Sequence, residues 1–433
     1  MVERFDVVVV GARCAGAPLA TFLARAGMRV CVVDRARLPQ DTASTHGIQP
    51  TGVKVLGELG VMGSLLEVAR PIERGTVVFD DVQIELDGVS DLVGAPMLNV
   101  RRITLDAVLV EAAEAAGAEI RPQTAVTDLI WEHGRVTGVR TAAGDVHAPL
   151  VVGADGVRSA VARLVDAPEY HRAPSGRVFI WAYHEGVAAD RDRVWVGQRG
   201  DMGYLASSTD AGLFMAAVAP SVERRDEILA DRDGVYAEAL AGWPDLGGQV
   251  AAGSRVGPIR VMSNMCGYFR TSAGPGWALV GDAGHFKDPS PGQGIADALR
   301  QSATLAKAIE RGAAGGDMDG MLRDWWEWRD RDAWEMYWFA TDMGASGAAA
   351  PLTAAITREV AADPRLTEGL LRVLNHDVPP SEVFTPALAL RAAVRGLATR
   401  RGERGALLRE MGGMIVAQVR RDRAARRVPS RRT

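Results

Sequence analysis

Lysine is almost missing from this sequence: Lys54, Lys287 and Lys307 are the three among 433 residues, so nearly all positive charge is arginine. Coding bias accounts for that before function does. Cysteine is scarce too, and Cys14, Cys31 and Cys266 are scattered, odd in number and without ligand spacing. That excludes a disulfide framework and points to reduced thiols, with the cytoplasm as the expected compartment. No window approaches the roughly 18 uninterrupted apolar residues of a membrane span. The chain runs from Met1 into an apolar strand with no charged and apolar leader, so no secretory signal is expected. A net charge of -4 gives no reason to expect nucleic acid or an anionic membrane as partner. What remains, 47% hydrophobic and 24% charged, is an ordinary globular composition with room for two or three domains.

The chain is organised around Phe5 to Arg35, FDVVVVGARCAGAPLATFLARAGMRVCVVDR. The apolar run Val7 to Val10 suits one buried strand of a parallel sheet. A small-residue turn, Gly11-Ala-Arg-Cys-Ala-Gly16, follows, then a helical pattern carrying Leu19, Phe22 and Leu23, closed by Gly27. A second run, Val30 to Val33, ends in Asp34. An acid roughly 20 residues beyond the glycines of a strand-turn-helix-strand unit marks a dinucleotide site. Gly11 permits the tight turn, Gly16 lets helix and strand approach, and the helix N-terminus faces a pyrophosphate. Asp34 can take the two hydroxyls of an adenosine ribose. Arg13 departs from the pattern, standing where the middle glycine should be. Its side chain crowds the pyrophosphate unless the guanidinium turns outward or joins the phosphate contacts.

Further along, the pattern predicts a helix over 50–66, strands within 75–87, and an amphipathic helix from Leu105 to Ala116 capped by Gly117. A buried strand then delivers Asp155-Gly156 to a turn. Strand-like runs over 177–184, 193–198, 204–207 and 212–218 join the 75–87 segment in one mixed or antiparallel sheet. Trp181, Tyr183, Trp195 and Tyr204 lie on it, as core residues or as the lining of a pocket. Helical sequence over 222–240 covers that sheet. The chain returns to glycine-rich chemistry at Trp277-Ala-Leu-Val-Gly281-Asp282-Ala-Gly-His285, followed by Pro289 and the Gly292-Gln-Gly294 turn. A helix from Ile295 to about Arg311 begins there, its first amides pointing beyond the loop. Five of the ten tryptophans (Trp325, Trp326, Trp328, Trp334, Trp338) sit at helical spacing and read as packing. The tail is alanine-rich and helical, with breaks at Pro351, Pro364 and Pro379-Pro380. Its Arg420 to Arg432 end reads as a solvated terminus.

Three motifs in this order resemble the FAD-dependent aromatic hydroxylases built like p-hydroxybenzoate hydroxylase: the N-terminal turn, Asp155-Gly156, and Gly281-Asp282 with Pro289 and Gly292-Gln-Gly294. The resemblance spans about residues 5 to 310. It implies an α/β fold, a discontinuous Rossmann-like FAD domain (1–72, 96–175 and 262–340) with an inserted β-sheet substrate domain (73–95 and 176–261) and a helical region over 341–433. It also implies that Gly11, Arg13, Cys14, Ala15 and Gly16 hold the pyrophosphate and that Asp34, with Arg35, meets the adenosine ribose. Arg102 contacts FAD, with Arg101 as the fallback, and Val126 lies beside the cofactor. Asp155-Gly156 buttresses the pyrophosphate and is tied to NAD(P)H use. Asp282 bonds the ribityl chain, and Pro289, Gly292, Gln293, Gly294 and Ile295 set backbone amides against the pyrimidine edge of the isoalloxazine. A helix N-terminus there stabilises the negative charge of reduced flavin.

The implied reaction uses NAD(P)H and O2, through a flavin C4a-hydroperoxide, to hydroxylate or epoxidise a small organic substrate, aromatic or polyketide-like. Few acid–base groups are needed, and His46 and His285 are the candidates for proton handling, each with a structural role as the alternative. Lys287 reads equally well as a solvated loop lysine. Other readings on the same scaffold are a C=C reductase of the geranylgeranyl reductase type and a protein holding FAD structurally. A separate flavin reductase as partner stays open. Halogenation is disfavoured, because Trp326-Glu-Trp328-Arg lacks the Ile-Pro of the halogenase segment and lies late in the chain.

Overall fold

A computed structural model describes residues 3–44, 46–244, 246–399 and 404–425. The chain divides into two compact units, one of residues 1–68, 100–173 and 266–333, the other of 69–99, 174–265 and 334–433.

The first unit is built on a six-stranded sheet in the order Ala273–Gly274, Trp277–Leu279, Leu150–Gly153, Val7–Val10, Val30–Val33, Glu119–Arg121. All neighbours are parallel except the antiparallel Ala273–Gly274 edge. Val7–Val10 is central, aligned with Leu150 on one side and Val30 on the other. Both faces of such a strand are covered, which is why it reads as unbroken valine. Val8, Val10, Cys31, Val33 and Val151 meet Leu129, Val136, Val139 and Val146 of an antiparallel three-stranded sheet. The other side takes the helices Gly16–Arg25, Arg102–Ala115 and Gly294–Ala313. The helix expected over 50–66 is two helices, Pro50–Glu58 and Met62–Val68, because Gly60 between them adopts φ +74°.

The second unit is a seven-stranded sheet in the order Ser254–Met262, Phe179–Glu185, Phe214–Ala219, Met202–Ser208, Arg193–Arg199, Arg74–Phe79, Val82–Asp87. Its one parallel pair joins Arg193–Arg199 to Arg74–Phe79. One face buries Ile180, Ala182, Tyr204, Ala206 and Ala216 under the helices Arg225–Ala230, Arg232–Ala241 and Gly247–Ala252. The helical cover read over 222–240 is thus two helices broken at Asp231. The tail helices are part of this unit: Val360, Leu370 and Leu371 pack on Val77, Val82 and Ile84 of the edge strands. Pro351, Pro364, Pro380 and Pro386 each open a helix, where a missing N–H is harmless. The terminus expected to be loose from Arg420 is helical through Ala425, and residues 426–432 of that expectation lie outside the described residues.

Candidate functional site

The N-terminal turn is closed from three directions. Asp34, buried at the end of its strand, accepts the Ala12 N–H at 2.9 Å and the Ala36 N–H at 2.8 Å. It thereby ties the turn to the loop beyond the strand and keeps lone pairs for further donors. Gly11 has φ +103°, and a Cβ there would meet the Ala154 carbonyl oxygen at 2.5 Å. A Cβ on Gly16 would stand 1.7 Å from the Gly11 oxygen, so that position admits only glycine. Arg13, the departure from the motif, donates to Thr42 Oγ1 in the loop after Asp34. Its guanidinium is thereby held to the loop that follows Asp34, and its charge also acts on Asp106. Arg35 is exposed, and Val126 opens a strand two residues after Thr124, whose N–H is given to the Asp34 oxygen at 2.7 Å.

A buried polar cluster stands behind the turn. Arg102 grips Asp106 with two bonds of 3.0 Å each, and the Cys14 thiol donates to Asp106 at 3.4 Å. Burial pushes the Cys14 thiol up, and burial pushes Asp106 up against the pull of Arg102. Arg102 opens the Arg102–Ala115 helix, and Arg101 occupies its N-cap position. Asp106 was not foreseen, and its one signal is a lone acid on the otherwise apolar buried face of that helix. Asp155 accepts the Ala160 N–H at 2.6 Å, while its Oδ1 is buried with no hydrogen-bond partner among the described residues. Gly156 follows with φ +76°.

The Gly294–Ala313 helix gathers the remaining pieces. Ser302 Oγ donates to the Ala15 oxygen at 2.7 Å, and Gln301 Oε1 accepts the Gly281 N–H at 3.1 Å. One helix thus holds both glycine turns, and Gly281, at φ +62°, would bring a Cβ to 3.0 Å from Ala15 Cβ. Burial pushes the Asp282 carboxyl up to about 6, with Arg102 pulling it down. Before the helix, Pro289 O accepts the Gly292 N–H at 2.8 Å and Pro291 O accepts Gln49 Nε2 at 3.1 Å. Lys287 is buried here, correcting the reading of it as a solvated loop lysine. Its Nζ bonds Gln293 Oε1 at 2.6 Å and Asp297 Oδ2 at 2.7 Å, joining the loop, the cap and the first helical turn. Burial pushes this ammonium below the usual lysine value, with Asp297 pulling it back. Gly294 is exposed with nothing within 4 Å of a Cβ, while Ile295 turns into the core.

Both candidate histidines are buried. His285 lies in a strand and packs on Phe269, ring centroids 4.5 Å apart. His46 is buried in a left-handed turn at φ +64°, its N–H given to Ser44 Oγ at 3.1 Å. The four aromatics of the second unit divide between two faces of its sheet. Tyr204 is covered by helices and packs on Trp243 with the rings tilted and their centroids 4.6 Å apart, with Trp195 packed on the same side. Trp181 and Tyr183 lie on the opposite face with Leu213, Met215 and Ala217. The indole N–H of Trp181 is buried without a hydrogen-bond partner among the described residues.

These residues fit FAD: a glycine turn with an exposed Gly294 opening a 20-residue helix, a second turn at the head of a parallel sheet, and beside that second turn a carboxylate oxygen of Asp155 with no partner among the described residues. A menaquinone reductase of Mycolicibacterium smegmatis is 30% identical over 330 residues, covering 72% of this chain and 78% of that protein. A kynurenine 3-monooxygenase of Salinispora tropica is 28% identical, covering 71% of this chain and 73% of that protein. The structure of the flavin-dependent brominase Bmp2 superposes with a TM-score of 0.73 at 18% identity, covering 91% of this chain and 99% of that one. Its fold is the p-hydroxybenzoate hydroxylase-like one expected from the motifs. A family model described as an FAD binding domain matches residues 4–340, and the chain belongs to that family as a flavoprotein oxidoreductase.

Proposed function

We propose that this protein is an FAD-dependent monooxygenase that uses NAD(P)H and O2 to hydroxylate or epoxidise a small organic substrate. The observation that carries the reading is the Gly292-Gln293-Gly294 turn, where the N-terminus of a 20-residue helix and the buried Lys287 ammonium converge. FAD, when bound, supplies hydride acceptance and oxygen chemistry. The chain's own work is to bind and orient it. Gly11 to Gly16 and Asp34 would hold the dinucleotide, Asp282 the ribityl chain, and the Gly292 to Gly294 amides the pyrimidine edge. A positive helix end favours the negative charge of the reduced ring. The similarity to kynurenine 3-monooxygenase across 73% of that protein supports oxygen transfer.

A second reading, reduction of a C=C bond or a quinone, is favoured by the 30% identity to a menaquinone reductase over 78% of its length. One experiment separates the two. The purified holoprotein is mixed anaerobically with NADPH or NADH, with and without candidate aromatic substrates, while the flavin absorbance is followed. Bleaching, then hydroxylated product once O2 is admitted, supports the monooxygenase. Product formed with no O2 present supports the reductase and overturns the first reading.

A further inference from the structure

The Arg404–Ala425 helix is docked along one side only. Leu407 packs with Leu352, Ala392 and Ala393. Glu410 accepts the Leu352 N–H at 2.6 Å, and Arg421 grips Asp342 at 2.6 and 2.9 Å. At 3.6 residues per turn, these anchors define one face, and the flank roughly 80–180° around from Leu407 carries Leu408, Ile415, Val416 and Val419. That flank should be polar in a helix that ends at water. Instead Leu408 is 58% exposed, Ile415 63% and Val416 51%. Leu390 and Val394, one turn apart on the neighbouring Pro386–Thr399 helix, are exposed as well. Single exposed aliphatics need no explanation, but a stripe spaced by seven and four residues does.

The charge around the stripe identifies what covers it. Arg409, Arg420 and Arg423 border it, all exposed. From residue 404 to the last residue, the sequence has nine arginines against two acids, in a chain whose net charge is -4. The rest of the molecule is therefore strongly acidic and this segment strongly basic. A second copy would bring the same arginines against themselves across a two-fold interface, where like charges repel. An anionic lipid surface satisfies both features: aliphatic side chains enter the acyl boundary while the arginines reach phosphates.

We propose that the Arg404–Ala425 helix is an interfacial element that docks this protein on anionic lipid bilayers, independently of the reaction it catalyses. The test is co-sedimentation of the full-length holoprotein with phosphatidylcholine vesicles, and with vesicles containing phosphatidylglycerol. The wild type is expected to pellet at least tenfold more with phosphatidylglycerol at low salt, and to be released by high salt. Ile415→Asp with Val419→Asp, and separately Arg420→Glu with Arg423→Glu, should each lower binding by about tenfold or more, with flavin content unchanged. Equal partition onto neutral and anionic vesicles overturns the proposal, as does binding indifferent to both variant pairs. So does a wild-type dimer in light scattering that Ile415→Asp converts to monomer, because the stripe then belongs to a second copy.

Discussion

Replacing Lys287 by Met tests the architecture of the site most directly. The side chains are close in volume, so the change removes a charge and leaves no large cavity. In the wild type the ammonium lies 2.7 Å from Asp297 Oδ2 and 2.6 Å from Gln293 Oε1, and all three residues are buried. Removing one partner of a buried pair costs about 3–5 kcal/mol, because the other charge stays behind in a poor solvent. Arg300 Nη1, at 3.6 Å from Asp297 Oδ1, compensates in part, so the lower end of that range applies. Urea unfolding of Lys287→Met should therefore show a loss of about 3 kcal/mol. Adding Asp297→Asn removes the stranded charge, so the double variant should be more stable than Lys287→Met alone. FAD affinity, titrated by flavin fluorescence, should fall with Lys287→Met, because Gln293 and the turn it caps lose their tether. A loss below about 1 kcal/mol, or a double variant less stable than the single one, would refute the reasoning.

Two other outcomes are open to measurement. A Cβ at Gly294 meets nothing within 4 Å, so Gly294→Ala should leave the FAD-free chain as stable or up to about 1 kcal/mol more so, while weakening FAD binding at least tenfold. Unchanged affinity would remove this turn from the site. Asp282 titrates near 6 instead of 3.8, so the folded FAD-free chain holds this proton more tightly than the unfolded one. Measured against Asp282→Asn, wild-type stability should fall by about 1–3 kcal/mol as pH rises through that window. A difference that does not change with pH would show that Asp282 is solvated.

Several parts of the site were legible without coordinates because they are local. Strand, turn, helix and strand follow one another within Phe5 to Arg35, and Gly16 serves a contact with Gly11 inside that unit, whereas the close approach at Gly11 is to Ala154. Gly281-Asp282 and Gly292-Gln-Gly294 were legible for the same reason, as strand ends followed by helix starts. The course of Arg13 was open, since the sequence does not say which way a long side chain turns. Thr42 answers that, and it lies 29 residues away.

The sequence by itself determined the strands, the glycine turns and the order of the cofactor motifs, because backbone preference and hydrophobic period act over a few residues. Only the tertiary structure decided that Asp106 stands under both Cys14 and Arg102, 92 residues from the first. It alone decided that Ser302 reaches Ala15 across 287 residues, and that Trp181 and Tyr204 occupy opposite faces of one sheet. Lys287 shows the physical reason. Its neighbours in sequence are those of an exposed loop, and its burial follows from where the Gly294–Ala313 helix packs, which no short window of residues encodes.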